Sequence, residues 1–522
     1  MPTLTIDNQP VQVPPDTTVL QAARQLGIDI PALCFLEGCT PNTSCMACVV
    51  SVHNGANDQR LVPACATRVE EGMVVESESA TVRDARRAAL GLLLSDHAGE
   101  CRAPCQYACP FKSDIPRMLR AIAAGQLPAA AATLREAVPL PATLARLTPE
   151  TCEGACRRCQ VDQSAAIGDL KRYVAEKNLN TGSPTFPAVK PPTGKQVAIV
   201  GAGPAGLAAA YFLQIAGHAC RVYDTATHAG GSLRELARRH DAETTLDAEI
   251  GFIGQLGVAF ELGTMLDKQQ LDTLRQTFDA VLLATGTPGT AIDRSTHATE
   301  SAGVFAAGGM LRPHGTPTQA AADGKAAAAC VDQYLRDEPI SGPRKLPIVA
   351  SARPTRDEVR QMAASVTPAS TPPPAARRDD ALLTDDEARA EASRCLHCDC
   401  HKLGACALQK YAEQYQVDSR VYRGARRPYD RRLLHPDIVF EPGKCILCGL
   451  CIQVAEQHGE PVGLTFVGRG FDTRLGVPFE ESLAAALQKC ALRCAEVCPT
   501  GALAPRDDRP GDQGACGAAP KQ

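Results

Sequence analysis

Apolar and polar residues alternate from the start of the chain. Thr3-Leu4-Thr5-Ile6 and Val11-Gln12-Val13 repeat with period two around Asp7-Asn8, which predicts a hairpin. The period then lengthens. Val19, Leu20, Ala23 and Leu26 recur at helical spacing within Thr17–Gly27, a stretch preceded by Asp16 and ended by Gly27. Further on, Val197-Ala198-Ile199-Val200 is a continuous apolar run bounded by glycine, predicting a short buried strand. A helix over Leu207–Ala216 and a second strand over Ala219–Tyr223 follow it. Residues 341–380 are rich in Pro, Ala and Arg, include Pro372-Pro373-Pro374, and read as an extended linker. A helix over Asp385–Ser393 comes next. No apolar run approaches the ~20 residues that span a bilayer, so no direct membrane span is expected.

Composition narrows the class. A chain of 522 residues has room for three or four domains of ~150 residues. The net charge of −4 and the lack of a long basic tract give no reason to expect nucleic acid. Tryptophan is absent, so aliphatic side chains must fill the cores. The 24 cysteines change the picture most, because all but Cys220, Cys330 and Cys516 fall into four tight groups. Thiolates two or three residues apart converge on a metal more easily than they pair into unstrained disulfides. The chain begins without a charged-then-apolar leader, so a reducing, cytoplasmic setting is expected, where such groups ligate iron–sulfur clusters.

The first group is Cys34-x10-Cys45-x2-Cys48-x16-Cys65, four thiolates as a [2Fe–2S] cluster requires, with Cys39 left for a structural role. The element order around it is that of a β-grasp ferredoxin. Plant-type spacing would need a cysteine at Asn42. The longer spacing resembles the opening [2Fe–2S] domain of the large iron–sulfur subunit of NADH dehydrogenase and of NAD-linked hydrogenases. At the other end, Cys445-x2-Cys448-x2-Cys451 and the distant Cys498-Pro499 supply one [4Fe–4S] site, proline fixing the turn. A second cubane there would need a cysteine at Ala455, so Cys490 and Cys494 are read as structural. With Gly468-Arg469-Gly470 in its insert, this module resembles the same subunit and the small diaphorase subunit of NAD-reducing hydrogenases.

The middle differs. Gly201, Gly203 and Gly206 lie between the strand and the helix, and Asp224 ends the second strand, 18 residues after the third glycine. Such glycines let backbone approach a pyrophosphate at a helix N-terminus, and the acid can bind a ribose hydroxyl. Gly230-Gly231, Ala284-Thr285-Gly286 and Gly303 to Gly308 follow. This part resembles the small subunit of glutamate synthase and the corresponding part of dihydropyrimidine dehydrogenase. The resemblance implies FAD, held through Gly201, Gly203, Gly206, Asp224, Gly231 and Gly308. Only 16 residues separate Gly286 from Gly303, where that family places its NAD(P)H domain, so NAD(P)H binding in the family manner is not expected. The family's flavin-contacting Gly-Asp reads Gly308-Gly309.

Upstream, Cys101-x3-Cys105-x3-Cys109 and Cys152-x3-Cys156-x2-Cys159 resemble the cluster domain of that same family, where two [4Fe–4S] clusters share cysteines of both halves. His97, four residues before Cys101, is a candidate replacement ligand, since His-x3-Cys also resembles the His/Cys site of the NADH dehydrogenase subunit. Lys171 stands where the family has Glu or Gln as ligand, and a protonated lysine has no lone pair for iron. One cluster or two remain open there. Cys395, Cys398, Cys400 and Cys406, four cysteines in twelve residues, are expected to form one metal site, either [4Fe–4S] or zinc.

The expected fold class is therefore multidomain α/β and α+β. A β-grasp [2Fe–2S] ferredoxin occupies 1–80, a helical Fe–S domain 81–190 and a truncated Rossmann-like FAD domain 191–340. The linker 341–380, a Cys-rich segment 381–434, a ferredoxin-like [4Fe–4S] domain 435–508 and a tail 509–522 complete the chain. With no hydrolytic or other catalytic constellation, the expected role is electron transfer in a multisubunit oxidoreductase. Its cofactors are one [2Fe–2S], three to four [4Fe–4S] and FAD. Its partners are other redox subunits, including an NAD(P)H-linked flavoprotein, in an assembly such as a hydrogenase or formate dehydrogenase. A self-contained flavoenzyme fed by ferredoxin, and a scaffold with structural clusters, are the competing readings.

Overall fold

The computed structural model describes residues 1–522 except 54–58, 182–183, 287–290, 344–352, 365, 367–380, 403, 423, 431–434 and 507–522. Pro372 to Pro374 and Cys516 therefore lie outside the described residues. Two compact units emerge. The first joins Met1–Ala103, Pro347–Ser365 and His397–Gln522; the second joins Pro104–Leu346 and Val366–Leu396. The division cuts three of the expected segments, 81–190 after Ala103, 341–380 after Leu346 and again after Ser365, and 381–434 after Leu396.

The first unit opens with the expected hairpin, β1 (Thr3–Ile6) and β2 (Gln9–Gln12). β3 (Val49–His53), β4 (Gln59–Pro63) and β5 (Val74–Glu76) complete a sheet of order β2-β1-β5-β3-β4. Only β1 and β5 run parallel, as in a β-grasp. The period-two pattern buries Leu4 and Ile6 against Val19, Leu20 and Ala23 of the helix Val19–Gln25. That helix starts later than its sequence suggests. Thr18 caps it, exchanging hydrogen bonds with Gln21, whereas Asp16 sits before it in a left-handed turn at φ 68°.

A long helix, Ala80–Ser95, ties the sheet to the rest of this unit. Its Arg86 is fully buried; Nε donates to the Val49 carbonyl at 3.0 Å, and Nη1 donates to Glu78 at 2.7 Å and to the Tyr415 hydroxyl at 2.6 Å. In the final module Ile438–Phe440 pairs antiparallel with Leu503–Pro505, and helices Leu450–Gln457 and Ala491–Val497 share its core.

Residues 341–380 are not wholly extended. The helix Arg356–Ala364 forms within them, burying Val359 and Met362. Glu358 fixes it by accepting from both Nη atoms of Arg426 and from the Tyr429 amide, and Arg426, first among these, holds the Glu358 carboxyl down to about 2.

The second unit pairs a helical layer (Ile115–Ala123, Leu127–Arg135, Pro141–Leu147, Ile167–Asn180) with an all-parallel sheet. Its strands are β6 (Gln196–Val200), β7 (Ala219–Asp224), β8 (Ala259–Leu262), β9 (Ala280–Leu283) and β10 (Val304–Ala306), in the order β10-β9-β6-β7-β8. This is a Rossmann-like arrangement. Buried Glu249 joins the two layers by accepting from the Ala142 and Thr143 amides, each at 2.9 Å. Arg135 nearby stacks on Phe252 at 3.9 Å.

Replacing Arg86 with Met strands the Val49 carbonyl and the Glu78–Tyr415 pair. We expect the local opening free energy to fall by about 3 kcal/mol. Hydrogen exchange across Val49–His53 should then accelerate about 100-fold while amides of β6 keep their protection.

Candidate functional site

In the first unit the four thiols singled out by spacing meet. Cys34 and Cys45 Sγ lie 3.3 Å apart. Hydrogen bonds from the Cys45 and Cys65 thiols hold Cys34 down to about 2, and one from Cys65 holds Cys48 down to about 7. Sharing those protons pushes Cys45 and Cys65 up. Cys39 stays outside this group, its sulfur accepting from Gln457 Nε2 at 3.3 Å. Asn42 gains a purpose that the sequence did not reveal. Its Nδ2 donates to the Cys448 carbonyl at 2.6 Å, directly above Gly449, where a Cβ would lie 2.3 Å from that nitrogen. The cysteine loop and helix Leu450–Gln457 are further joined by reciprocal bonds between Thr40 and Gln453 of 2.9 and 3.0 Å.

Cys445, Cys448, Cys451 and Cys498 line one small cavity, closed by Phe466, Leu475 and Pro499. Burial, then repulsion among these sulfurs, pushes Cys448 and Cys451 up; burial pushes Cys445 up to about 11. Cys490 and Cys494 stand apart from this cavity, their sulfurs 3.8 Å from each other.

Cys101 has neighbours that its spacing did not suggest. It belongs to the first unit, whereas Cys105 and Cys109 belong to the second. Its carbonyl accepts from the Cys400 amide at 3.3 Å, and its thiol is raised by burial and then by Cys400 and Cys406. Burial and Cys400 likewise push Cys406 up to about 12. Of the four cysteines expected to share one site, Cys400 and Cys406 share their surroundings with Cys101. Cys395 falls in the second unit, Cys398 lines a small cavity with Gly99, Glu100, Glu441 and Lys444, and Cys400 and Cys406 face Cys101. His97 precedes Cys101 in the same loop. Burial, Lys444 and Arg427 outweigh Glu441 and hold its ring down to about 4, so the imidazole is neutral at pH 7 and keeps a lone pair.

Cys34, Cys45, Cys101 and Cys448 all sit in a single apolar cluster with Leu33, Leu90, Leu408 and Tyr411. Three thiol groups of the first unit therefore share one dry core. Between two of them lies Lys402, which sequence reasoning passed over as an ordinary charge. Among the described residues no three His, Cys, Asp or Glu side chains stand at single-ion distances. A cluster spreads its thiolates over several irons.

In the second unit Thr151 Oγ1 donates to the Ala108 carbonyl at 3.0 Å, joining the short helices that carry Cys105 and Cys152. Arg158 Nη1 donates to the Arg394 carbonyl at 2.5 Å, which brings Cys395 to the loop of Cys156 and Cys159. Cys109 and Cys152 meet differently. Lys171 Nζ lies 2.6 Å from Glu150 Oε2 and 3.5 Å from Cys152 Sγ. Burial opposes its charge, but Cys109, Cys152 and Glu150 outweigh burial and keep it protonated. An ammonium ion-paired in this place does not fit a cubane ligand set.

The glycine loop lies over a cavity of about 680 Å³ lined by Gly201, Gly203, Asp224, Gly231, Gly308, Thr285 and Arg312. Gly206 lies beneath it, where a Cβ would come within 1.8 Å of the Gly201 carbonyl oxygen. At Gly203 a Cβ would meet nothing within 4 Å, so bare backbone at the start of helix Pro204–Ile215 faces the cavity. That fits a pyrophosphate. Asp224 also holds the loop, accepting from the Ala202 amide at 2.6 Å and the Ala226 amide at 2.8 Å. Gly309, in place of the family's acid, packs so closely on Gly286 that a Cβ would lie 2.9 Å from its Cα. Arg312 was the lining residue least visible in the sequence.

Comparison with known proteins gives three partial matches. Residues 1–80 match a 2Fe-2S iron–sulfur cluster binding domain. Residues 76–183 match dihydropyrimidine dehydrogenase domain II, 4Fe-4S cluster, and residues 199–253 match an NAD(P)-binding Rossmann-like domain. The β subunit of an NADPH-Fe(3+) oxidoreductase of Geobacter sulfurreducens is 37% identical over 190 residues, 35% of this chain and 28% of the relative. The β subunit of an NADP(+)-dependent formate dehydrogenase of Moorella thermoacetica is 35% identical over 207 residues, 35% of this chain and 29% of the relative. An NADP-reducing hydrogenase subunit, HndD, of Solidesulfovibrio fructosivorans is 47% identical over 106 residues, 19% of this chain and 18% of the relative. The chain thus spans less than a third of each of these relatives. It carries [2Fe–2S], [4Fe–4S] and Rossmann-like dinucleotide domains.

Restoring the acid by Gly309→Asp should strain the Gly286 contact and not improve the site. We expect calorimetry to show the transition of the second unit lowered by about 2–6 °C.

Proposed function

We propose that this protein is an iron–sulfur electron-transfer subunit of a cytoplasmic multisubunit oxidoreductase. It passes electrons between an NAD(P)H-linked flavoprotein partner and a catalytic partner such as a hydrogenase or formate dehydrogenase. The observation that carries this reading is the apolar cluster holding Cys34, Cys45, Cys101 and Cys448 together. Electron transfer weakens steeply with distance, and three sites in one dry core favour it. The matched relatives, named as subunits of NADPH-, formate- and hydrogen-linked enzymes, point the same way.

In this reading Cys34, Cys45, Cys48 and Cys65 hold [2Fe–2S], and Cys445, Cys448, Cys451 and Cys498 hold one [4Fe–4S]. His97, Cys101, Cys400 and Cys406 hold another, and Cys105, Cys156, Cys159 and Cys395 hold a third. Bound clusters would supply single-electron chemistry, and bound FAD a junction to two-electron chemistry. The chain's own part is to exclude water, keep the His97 imidazole neutral and hold the cysteine loop to the final module through Asn42. FAD is the dinucleotide of choice because Gly201, Gly203, Gly231 and Gly308 follow the order of the flavoproteins the sequence resembles. The site lined by Cys109, Cys152 and Lys171 holds no cubane, which makes three cubanes in total.

Anaerobically reconstituted protein should therefore carry about 14 irons per chain. Cys101→Ala and Cys400→Ala should each delete the same EPR signal and leave the [2Fe–2S] signal intact. Loss of two different signals, or fewer than about 6 irons, defeats the assignment.

A bulky residue at Gly203 should release any bound flavin without changing the iron content. The chain alone should oxidise NADH or NADPH negligibly, and its iron centres should become reducible by NAD(P)H once a flavin-bearing partner subunit is added. Rapid turnover without a partner would favour a self-contained flavoenzyme instead.

A further inference from the structure

Lys402 is 7% exposed, in the loop between Cys400 and Cys406. Its Nζ donates to the carbonyls of Ala495 at 2.6 Å, of Glu496 at 3.0 Å, and of Cys498. These are the end of helix Ala491–Val497 and the cysteine that follows it. An ammonium has three donors, and all are spent on this one turn. Among the described residues no carboxylate accepts from it; the nearby Glu496 side chain instead pairs with Arg493 at 2.7 Å.

The sulfurs surrounding that charge come from two different sites. Cys498 belongs to the cavity of Cys445, Cys448 and Cys451, whereas Cys400 and Cys406 face Cys101. The contact between the two sites is tight, since a Cβ at Gly501 would lie 2.3 Å from Cys400 Sγ, and the Leu408 amide donates to the Pro499 carbonyl at 3.1 Å. A buried ammonium balanced only by carbonyl dipoles is costly. The helix end returns part of that cost. Negative charge on both sulfur sites would return the rest.

We propose that Lys402 is a shared positioning residue for both cubane sites of the first unit, its charge favouring electron uptake at each while its hydrogen bonds fix their separation. This rests on the ligand sets proposed above. The charge acts on the site of Cys101, Cys400 and Cys406 and also on the site ending at Cys498, so both midpoints move in the same direction. The [2Fe–2S] site, whose four cysteines are not among the sulfurs around Nζ, is unaffected.

The test is an EPR-monitored redox titration of the iron-loaded full chain, with iron assayed first. Lys402→Met and Lys402→Gln should lower both cubane midpoints, changing the reduced-to-oxidised ratio at fixed poise by about tenfold or more. The [2Fe–2S] midpoint should stay in place, and Lys402→Arg, which keeps the charge, should retain wild-type values. Unchanged midpoints in fully loaded Lys402→Gln protein, or a shift at one cubane alone, overturn the proposal. Should the neutral variants lose iron, normal loading in Lys402→Arg supports a role for the charge, and equal loss in Lys402→Arg overturns it. A wild-type protein without the two cubane signals would instead refute the ligand sets.

Discussion

A buried thiolate needs a positive partner, and the first unit is organised around that constraint. Burial alone pushes its cysteine thiols upward, so water cannot be what stabilises their charged form. What the chain supplies is a set of thiols gathered in apolar surroundings, with Lys402 and Lys444 buried among them and a neutral His97 at the edge. Such a core gains little by packing sulfur on sulfur without metal. The arrangement becomes intelligible once cationic iron is its intended occupant.

The same constraint explains an unusual chain path. The chain leaves the first unit after Ala103, returns to it for Pro347–Ser365 and rejoins it at His397, and within this unit the Cys400 amide meets the Cys101 carbonyl at 3.3 Å. One site is thus assembled from cysteines about 300 residues apart in sequence. A long insertion costs little when its ends already lie together, because closure entropy grows only slowly with loop length. The clamp of Arg86 on Val49, Glu78 and Tyr415 keeps the two sides of that insertion in one body.

The second unit has kept a dinucleotide fold while altering two of its chemical positions. Lys171 occupies a ligand position with an ion pair to Glu150, and Gly309 occupies an acid position with bare backbone pressed on Gly286. The glycine loop over the large cavity, by contrast, retains the open backbone that a pyrophosphate requires.

Local pattern was enough wherever an element or a group of thiols is close in sequence. Period-two alternation placed β1 and β2, the apolar run placed β6, and short cysteine spacings picked out Cys34, Cys45, Cys48 and Cys65 and also Cys445, Cys448, Cys451 and Cys498. It misled where competing contacts were distant. Asp16 looked like a cap until Thr18 and Gln21 capped each other, and a proline-rich segment contained a helix because Arg426 and Tyr429 hold Glu358. Spacing within twelve residues suggested a single site for Cys395 to Cys406 and gave no sign that Cys101 would lie beside Cys400 and Cys406. Asn42 and Lys402 were unremarkable in sequence, since a hydrogen bond to Cys448 or Cys498 depends on backbone that arrives from hundreds of residues away or from another module. Sequence alone determined which chemistry the chain carries, because ligand type and short spacing are local properties. Only the tertiary structure decided which sulfurs face one another, because that depends on where the chain returns after its insertion.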